Sequence, residues 1–316
     1  MRITPSLLYN YLMCPHLPWR DRFGPKDEKG TDDNPFLKML WERGVLHEKD
    51  VLEGLGVEYE DLSQGTIEDR LNQTKEALLA KKQLIYQGVI ESGELFGIPD
   101  LLELQEDGQY FPTDIKSGSG LDGEDEEAGL EGKQKKHYAT QLCLYSDILI
   151  RLGFAKDRRG YILGGDKIKI PYDLTASIGA RSTQNFWSFY EEVKSVVTDL
   201  IHDKNRNSPA MSAACKMCAW QDSCKKWCTE NDDMTQLFNM GRKVRDVLNA
   251  ELDVATVTGL VNIDLPVILE RKKNEKQFLK GIGEKTITTA VRRAKLYRDQ
   301  ALPTLYHKLY LPEVKY

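Results

Sequence analysis

The chain has 316 residues, 41% of them hydrophobic, so it can form one large domain or a main domain with a smaller appendage. No apolar run approaches the ~20 residues that span a bilayer, and the first residues lack the apolar stretch of a signal peptide, which predicts a cytoplasmic protein without a membrane partner. The net charge of −5 is uneven, since residues 241–316 hold 15 Lys and Arg against 9 Asp and Glu. A basic tail of this kind indicates binding to a polyanion.

The predicted elements of the first part alternate between helices and strands. Thr4 is a typical helix N-cap with Pro5 in the first turn, and Asn34–Pro35 repeats that signal before a second helix. The patterns predict a third helix at 66–83, strands at about 84–91, 94–105 and 109–116, a mobile acidic loop at 121–132, a helix at 135–153, a strand or strand pair at 160–173 and a helix at 175–203. This order predicts an α/β domain with a mixed sheet, residues 1–230, followed by a basic helical region, residues 231–316.

The strands near residue 100 carry an unusual pair of carboxylates. A three-residue loop, 106–108, with Gly108 in the left-handed position, would set Asp100 directly opposite Asp114 and place Lys116 on the same face. Opposed carboxylates are close enough to share a divalent cation. A two-residue turn would instead put them on opposite faces, and a surface hairpin with an ordinary Asp–Lys pair is the simpler interpretation.

The complete string, Pro99-Asp100 and then Asp114-Ile115-Lys116, resembles both halves of the PD-(D/E)xK nuclease motif. The resemblance implies a restriction-endonuclease-like mixed sheet flanked by helices. It also implies Mg²⁺ or Mn²⁺ bound by Asp100, Asp114 and the Ile115 carbonyl, with Lys116 assisting the attacking water. Asp114 stands where CRISPR-associated members commonly have glutamate.

Two helices carry residues similar to those of RecB-like nucleases. In that group a helical histidine precedes the acidic strands and ligates the metal, which implies this role for His47 rather than that of a buried core histidine. Gln141-x-x-x-Tyr145 matches the Gln-x-x-x-Tyr motif of the group, which implies that these two residues support the substrate or the lysine. His137 lies on the same predicted helix face and matches no motif.

The six cysteines include a cluster that could hold a metal centre. Cys215, Cys218 and Cys224 follow an x2, x5 spacing, and the fourth ligand is either Cys228, which gives a compact zinc site, or the distant Cys14. CRISPR-associated RecB-like exonucleases, which this chain resembles, combine the same spacing with an N-terminal cysteine-proline segment. The resemblance implies a [4Fe-4S] cluster on Cys14, Cys215, Cys218 and Cys224 that staples the domain. Cys143 is interpreted as a small core residue.

The basic tail contains Gly281-Ile282-Gly283 between two helical stretches. It resembles half of a helix-hairpin-helix element, which binds phosphate through backbone N–H groups, although a plain helical turn has the same pattern. The segment after the cysteines is similar to that of larger predicted RecB-family nucleases, so the chain could be a truncated relative.

Taken together, these features predict a metal-dependent exonuclease that hydrolyses DNA, with single-stranded DNA as its partner, in repair, recombination or CRISPR-type processing. Two alternatives stay open: a nucleic-acid-binding module without activity, and a zinc-stabilised scaffold for protein partners.

Overall fold

The computed structural model describes residues 2–31, 35–54, 56–123, 132–179 and 182–299. The chain forms two compact units. The first comprises Met1–Phe23 and Asp33–Asn207, and the second comprises Gly24–Asp32 and Ser208–Tyr316. The sequence predicts that the nuclease domain ends near residue 230. The two units are defined by their compactness and not by function, so this boundary stays a prediction.

The first unit is a mixed α/β unit, as predicted. Its helices are α1 Pro5–Met13, α2 Leu17–Phe23, α3 Pro35–Gly54, α4 Ile67–Leu79, α5 Lys136–Arg151 and α6 Phe186–Ile201. Its strands are β1 Glu60–Asp61, β2 Leu84–Tyr86, β3 Ile90–Ser92, β4 Leu95–Gly97, β5 Leu101–Leu104, β6 Tyr110–Ile115, β7 Leu121–Asp122, β8 Lys133–Gln134, β9 Arg159–Leu163 and β10 Lys169–Asp173.

The main sheet has six strands in the order β1-β2-β5-β6-β9-β10. The β1–β2 and β6–β9 pairs are parallel and the other neighbours are antiparallel, so the sheet is mixed. Helix α5 provides the parallel crossover from β6 to β9. It is buried along most of its length against the sheet, α1 and α6, and supplies much of the core of this unit. Strand β6 is buried throughout, so side chains at its end are held between two packed layers.

Helix α1 begins as the sequence predicts. The Thr4 side chain accepts a hydrogen bond from Leu7 N at 3.2 Å, and Pro5 occupies the first turn. Helix α4 begins after the cap Thr66 but ends at Leu79 instead of residue 83, because Lys81 adopts a positive φ of 54° and its N–H turns back to Leu78 O.

Three predicted elements are shorter than expected. The strand predicted at 84–91 is broken where Gln87 takes a positive φ of 55°, and the one predicted at 94–105 is broken between Gly97 and Leu101. Strands β3 and β4 therefore pair with each other in a separate two-stranded sheet. The helix predicted at 175–203 begins only at Phe186, because Asn185 and Ser188 form a capping box.

The acidic stretch 121–132 lies partly outside the described residues, which resume at Gly132. At its start Leu121–Asp122 is a short strand paired with Lys133–Gln134, so the predicted loop is narrower than 121–132.

The second unit contains α7 Gln221–Glu230, α8 Arg242–Leu252, α9 Val257–Asn262, α10 Leu265–Asn274 and α11 Glu284–Arg298. Its hydrophobic core is formed by residues between Met234 and Ala294, in these helices and in the turns between them. The early segment Gly24–Asp32 belongs to this unit, where Gly30 N donates to Ala219 O at 2.8 Å. Within the ranges given above, no helix has the length and apolar character needed to cross a membrane.

Candidate active site

The hairpin of β5 and β6 has the predicted register. Leu101 pairs with Thr113, and Gln105 N donates to Gln109 O at 2.8 Å across the loop. Gly108 has a φ of +81°, the left-handed conformation that the three-residue loop requires. Continued by one residue from the Leu101–Thr113 pair, this register sets Asp100 opposite Asp114.

Asp114 is buried at the end of β6, with only 2% of its surface exposed. Its Oδ1 accepts a hydrogen bond from Gln141 Nε2 at 2.5 Å, and its Oδ2 forms a short ion pair with Lys116 Nζ. Lys116 Nζ also donates to Gln141 Oε1 at 3.2 Å. The lysine therefore lies on the same side as Asp114, as the strand alternation predicts, and the amide of Gln141 connects the two charges.

Asp100 is held by two donors. Its Oδ2 accepts a hydrogen bond from Ile115 N at 2.6 Å, and its Oδ1 accepts one from Gln87 Nε2 at 3.1 Å. The bond to Ile115 N ties Asp100 to the backbone between Asp114 and Lys116, so the two acidic strands fix each other's carboxylates.

The surroundings of Asp100 and Asp114 disfavour the charged forms of both carboxylates. Burial, the Asp114 charge and the Glu48 charge together raise the pKa of Asp100 well above its usual value. Burial also raises the pKa of Asp114, although Lys116 opposes this shift. Burial alone would lower the pKa of Lys116, but Asp114 and Asp100 raise it, so the ammonium group stays charged. Positive charge is therefore stabilised beside Asp114.

Gln141 and Tyr145 lie one turn apart on α5 but have different surroundings. Gln141 faces the charged centre, whereas Tyr145 is only 3% exposed. The Tyr145 hydroxyl accepts from Gln141 Nε2 at 3.1 Å and donates to Ile98 O at 3.2 Å. The tyrosine thus orients the glutamine from within the core.

A protein-family model matches more than half of the chain. Residues 25–225 match the model of the PD-(D/E)XK nuclease superfamily. The chain belongs to the PD-(D/E)XK nuclease superfamily. No curated protein matches the chain significantly. The mixed α/β architecture is consistent with the restriction-endonuclease-like fold of these nucleases, and membership implies nuclease activity on nucleic acid, usually with Mg²⁺ or Mn²⁺.

Helix α3 contributes a residue to this charged centre that the sequence analysis missed. Glu48 Oε1 accepts hydrogen bonds from Tyr86 Oη at 2.9 Å and from Gln87 Nε2 at 2.8 Å. Because Gln87 Nε2 also donates to Asp100 Oδ1, Gln87 bridges the carboxylates of Glu48 and Asp100. The only sequence signal for Glu48 was its position next to His47. Gln87 carried no signal, because it lies in the turn that interrupts a predicted strand.

His47 has a buried Nε2 atom without a hydrogen-bond partner, and no described contact links it to Asp100 or Asp114. Across the described ranges, no three His, Cys, Asp or Glu side chains form a ready-made metal site. The donor set nevertheless fits a hard divalent cation, because carboxylate and backbone carbonyl oxygens are ligands that Mg²⁺ and Mn²⁺ prefer.

The cysteines of the second unit lie close in sequence around one turn. Cys215 is in a 3-10 turn, Ala213–Met217, Cys218 ends that turn, and Cys224 is at the start of α7. Cys228 is completely buried in α7, and burial raises the pKa of its thiol to about 11. Cys14 is the C-cap of α1, in the first unit, and Cys143 is buried in the core as predicted.

Proposed function

We propose that this nuclease is a metal-dependent deoxyribonuclease that degrades single-stranded DNA from an end. The observation that carries the proposal is the Asp100–Asp114 pair, opposed across a buried hairpin with Lys116 at its edge. Mutual repulsion and burial make this centre costly without a cation, a cost that a purely structural hairpin has no reason to bear.

Each residue of the charged centre would have its own role in metal binding or catalysis. Asp100, Asp114, the Ile115 carbonyl and His47 would hold the cation, which when bound polarises the phosphate and lowers the pKa of a water molecule. Lys116, kept charged by the two aspartates, would donate to the developing negative charge or orient the attacking water. Gln141 would hold Lys116 and Asp114 in place through one amide.

The catalytic assignment is tested with end-labelled DNA. Wild-type protein should shorten linear single-stranded DNA in Mg²⁺ or Mn²⁺ and leave circular single-stranded DNA intact, because an exonuclease needs an end. Asp114→Asn and Lys116→Met should lower the cleavage rate at least about a hundredfold. Lys169→Met is a matched control, since Lys169 pairs with Glu103, which contacts Thr113 on the face of β6 opposite to Asp114.

Each other outcome removes a defined part of the proposal. Cleavage of circular DNA would contradict the exonuclease assignment, and equal rates on a duplex would contradict the single-strand preference. Binding of DNA without cleavage by the wild-type protein would indicate an inactive binding module.

We further propose that Cys14, Cys215, Cys218 and Cys224 bind a [4Fe-4S] cluster. The x2, x5 spacing of Cys215, Cys218 and Cys224 supports this ligand set. Anaerobically prepared protein should contain iron and sulfide, and Cys14→Ser and Cys218→Ser should each lose the iron. Cys143→Ser, which alters a core thiol, should retain it. Zinc in place of iron would refute the cluster.

The helical region is proposed to add DNA contacts through the Gly281-Ile282-Gly283 turn between α10 and α11. Gly281 has a φ of +81°, and Lys280 and Lys285 are exposed on either side of the turn. Removing one phosphate-binding lysine should reduce the slope of log affinity against log salt by about 1. Lys280→Glu combined with Lys285→Glu should flatten that slope, and an unchanged slope would exclude this surface.

A further inference from the structure

A cavity of about 530 Å³ lies between α1 and α5, beside the charged centre. Helix α1 lines it with Ser6, Tyr9 and Asn10, and α5 lines it with His137 and Gln141. Lys116 contributes to the same wall. The volume lies within the roughly 300–1,000 Å³ of pockets that bind small molecules. All of these residues belong to the first unit.

The cavity is lined by aromatic rings from both helices. Tyr9 is 46% exposed, although large aromatic side chains usually bury more of their surface. Its ring meets the His137 ring edge to face at 5.8 Å between centroids, and the His137 ring lies 4.3 Å from that of Tyr138. Exposed aromatic rings are surfaces on which unpaired bases stack.

The charge around the aromatic rings favours binding of a nucleobase there over binding of a phosphate group. Burial, together with the Lys135 and Lys116 charges, lowers the pKa of His137, so its ring is neutral at pH 7. A neutral imidazole stacks on a base and can donate to or accept from its edge, but it adds no charge for a phosphate. Lys116 is the cation of the cavity wall, and it faces the carboxylates.

The cavity and the charged centre share two side chains. Lys116 and Gln141 line the cavity, and both contact Asp114. A nucleotide whose phosphate reaches Lys116 would therefore have its base next to the cavity. We propose that the cavity binds one unpaired nucleobase, adjacent to the phosphate that is cleaved, by stacking on Tyr9 and His137. This inference rests on the proposed nuclease function and gives a physical origin for single-strand preference, since a paired base would first have to leave its duplex.

The test is a double-mutant cycle between the protein and the DNA. Single-stranded oligothymidylates are prepared intact or with one abasic nucleotide at each successive position, and cleavage is measured in Mg²⁺ for the wild type and for Tyr9→Ala. Leu79→Ala, which removes an exposed side chain from α4, is the control. If the wild type does not cleave, the same cycle is measured as dissociation constants by fluorescence anisotropy, so failure of the nuclease assignment is seen separately.

The expected result is position-specific. Tyr9→Ala should raise the KM for intact DNA by about 5- to 150-fold with kcat nearly unchanged, as expected when one stacking interaction is removed. One abasic position should impose a similar loss on the wild type and no additional loss on Tyr9→Ala. Tyr9→Phe should retain the wild-type KM, because stacking needs the ring and not the hydroxyl.

Two results would overturn the proposal. If Tyr9→Ala costs the same on intact and on every abasic oligonucleotide, Tyr9 contacts the backbone or supports α1 and does not bind a base. If Tyr9→Ala and Leu79→Ala both behave as wild type, the cavity does not bind the substrate.

Discussion

Replacing Tyr145 by phenylalanine tests how the Gln-x-x-x-Tyr pair works. The substitution deletes only the hydroxyl, which accepts from Gln141 Nε2 at 3.1 Å and donates to Ile98 O at 3.2 Å. Each hydrogen bond contributes about 0.5–1.5 kcal/mol net, so the free energy of unfolding should fall by roughly 1–3 kcal/mol. For a unit of this size, each kcal/mol corresponds to about 2–4 °C in Tm.

The effect on activity should be smaller than for a residue that touches DNA. Because Tyr145 is buried, its loss acts through the orientation of Gln141 and hence of Lys116. We expect kcat to fall by about tenfold while KM stays constant, the pattern of an interaction that matters only in the transition state.

Tyr110→Phe is the matched control. Tyr110 is a buried tyrosine of the same unit, and its hydroxyl donates to Lys82 O at 2.6 Å, at the opposite end of β6. It should lose about 0.5–1.5 kcal/mol of stability for its hydrogen bond to Lys82 O, measured by thermal and denaturant unfolding, without losing activity. If Tyr145→Phe instead raises KM at unchanged stability, the hydroxyl contacts substrate and the positioning role is refuted.

Three further substitutions test individual interactions. Glu48→Ala should raise the Mg²⁺ concentration for half-maximal cleavage by about 10- to 100-fold, because Glu48 holds Gln87 against Asp100, and a metal titration that matches the wild type would contradict this. Gly97→Ala should lower the free energy of unfolding by about 1–3 kcal/mol, because the added Cβ would lie 2.6 Å from the Tyr145 ring, whereas Gly44→Ala, with open space around it, should not destabilise. Asp147→Asn should remove a pH-dependent part of the stability. Burial acts to raise the pKa of Asp147, but hydrogen bonds from Arg151 and Lys194 lower this pKa overall. The stability that the Asp147 carboxylate contributes is therefore present above the unfolded pKa of about 3.9 and is lost as pH falls through the lower folded pKa. Urea unfolding between pH 3 and pH 7 should therefore show wild type and Asp147→Asn converging at acid pH, and a constant difference would refute the assignment.

The features that the sequence predicted correctly depend on local rules. The Asp100–Asp114 register follows from loop length and from Gly108 in the left-handed conformation, and α1 follows from Thr4 and Pro5. Strand alternation was also sufficient to put Lys116 beside Asp114. In each case the residues that decide the geometry lie within a short stretch of chain.

The features that were missed depend on distant packing. No sequence pattern near Gln87 predicts its positive φ. The turn at Gln87 nevertheless breaks a predicted strand, and its side chain donates to Glu48 and Asp100. The spacing of Gln141 and Tyr145 put both on one helix face, but only the packing of α5 distinguishes the polar position from the buried one. The metal role of His47 stays a prediction.

The discontinuous second unit has a consequence for protein synthesis. Gly24–Asp32 leaves the ribosome early, but its backbone partner Ala219 follows roughly 190 residues later. At 5–20 residues per second that delay is roughly 10–40 s. During this time the residues of the first unit, which ends at Asn207, can fold. The segment Gly24–Asp32 meanwhile has no folded partner to pack against. A chain ended at residue 207 would keep this segment without the unit to which it belongs, so proteases should cut it first between residues 24 and 32.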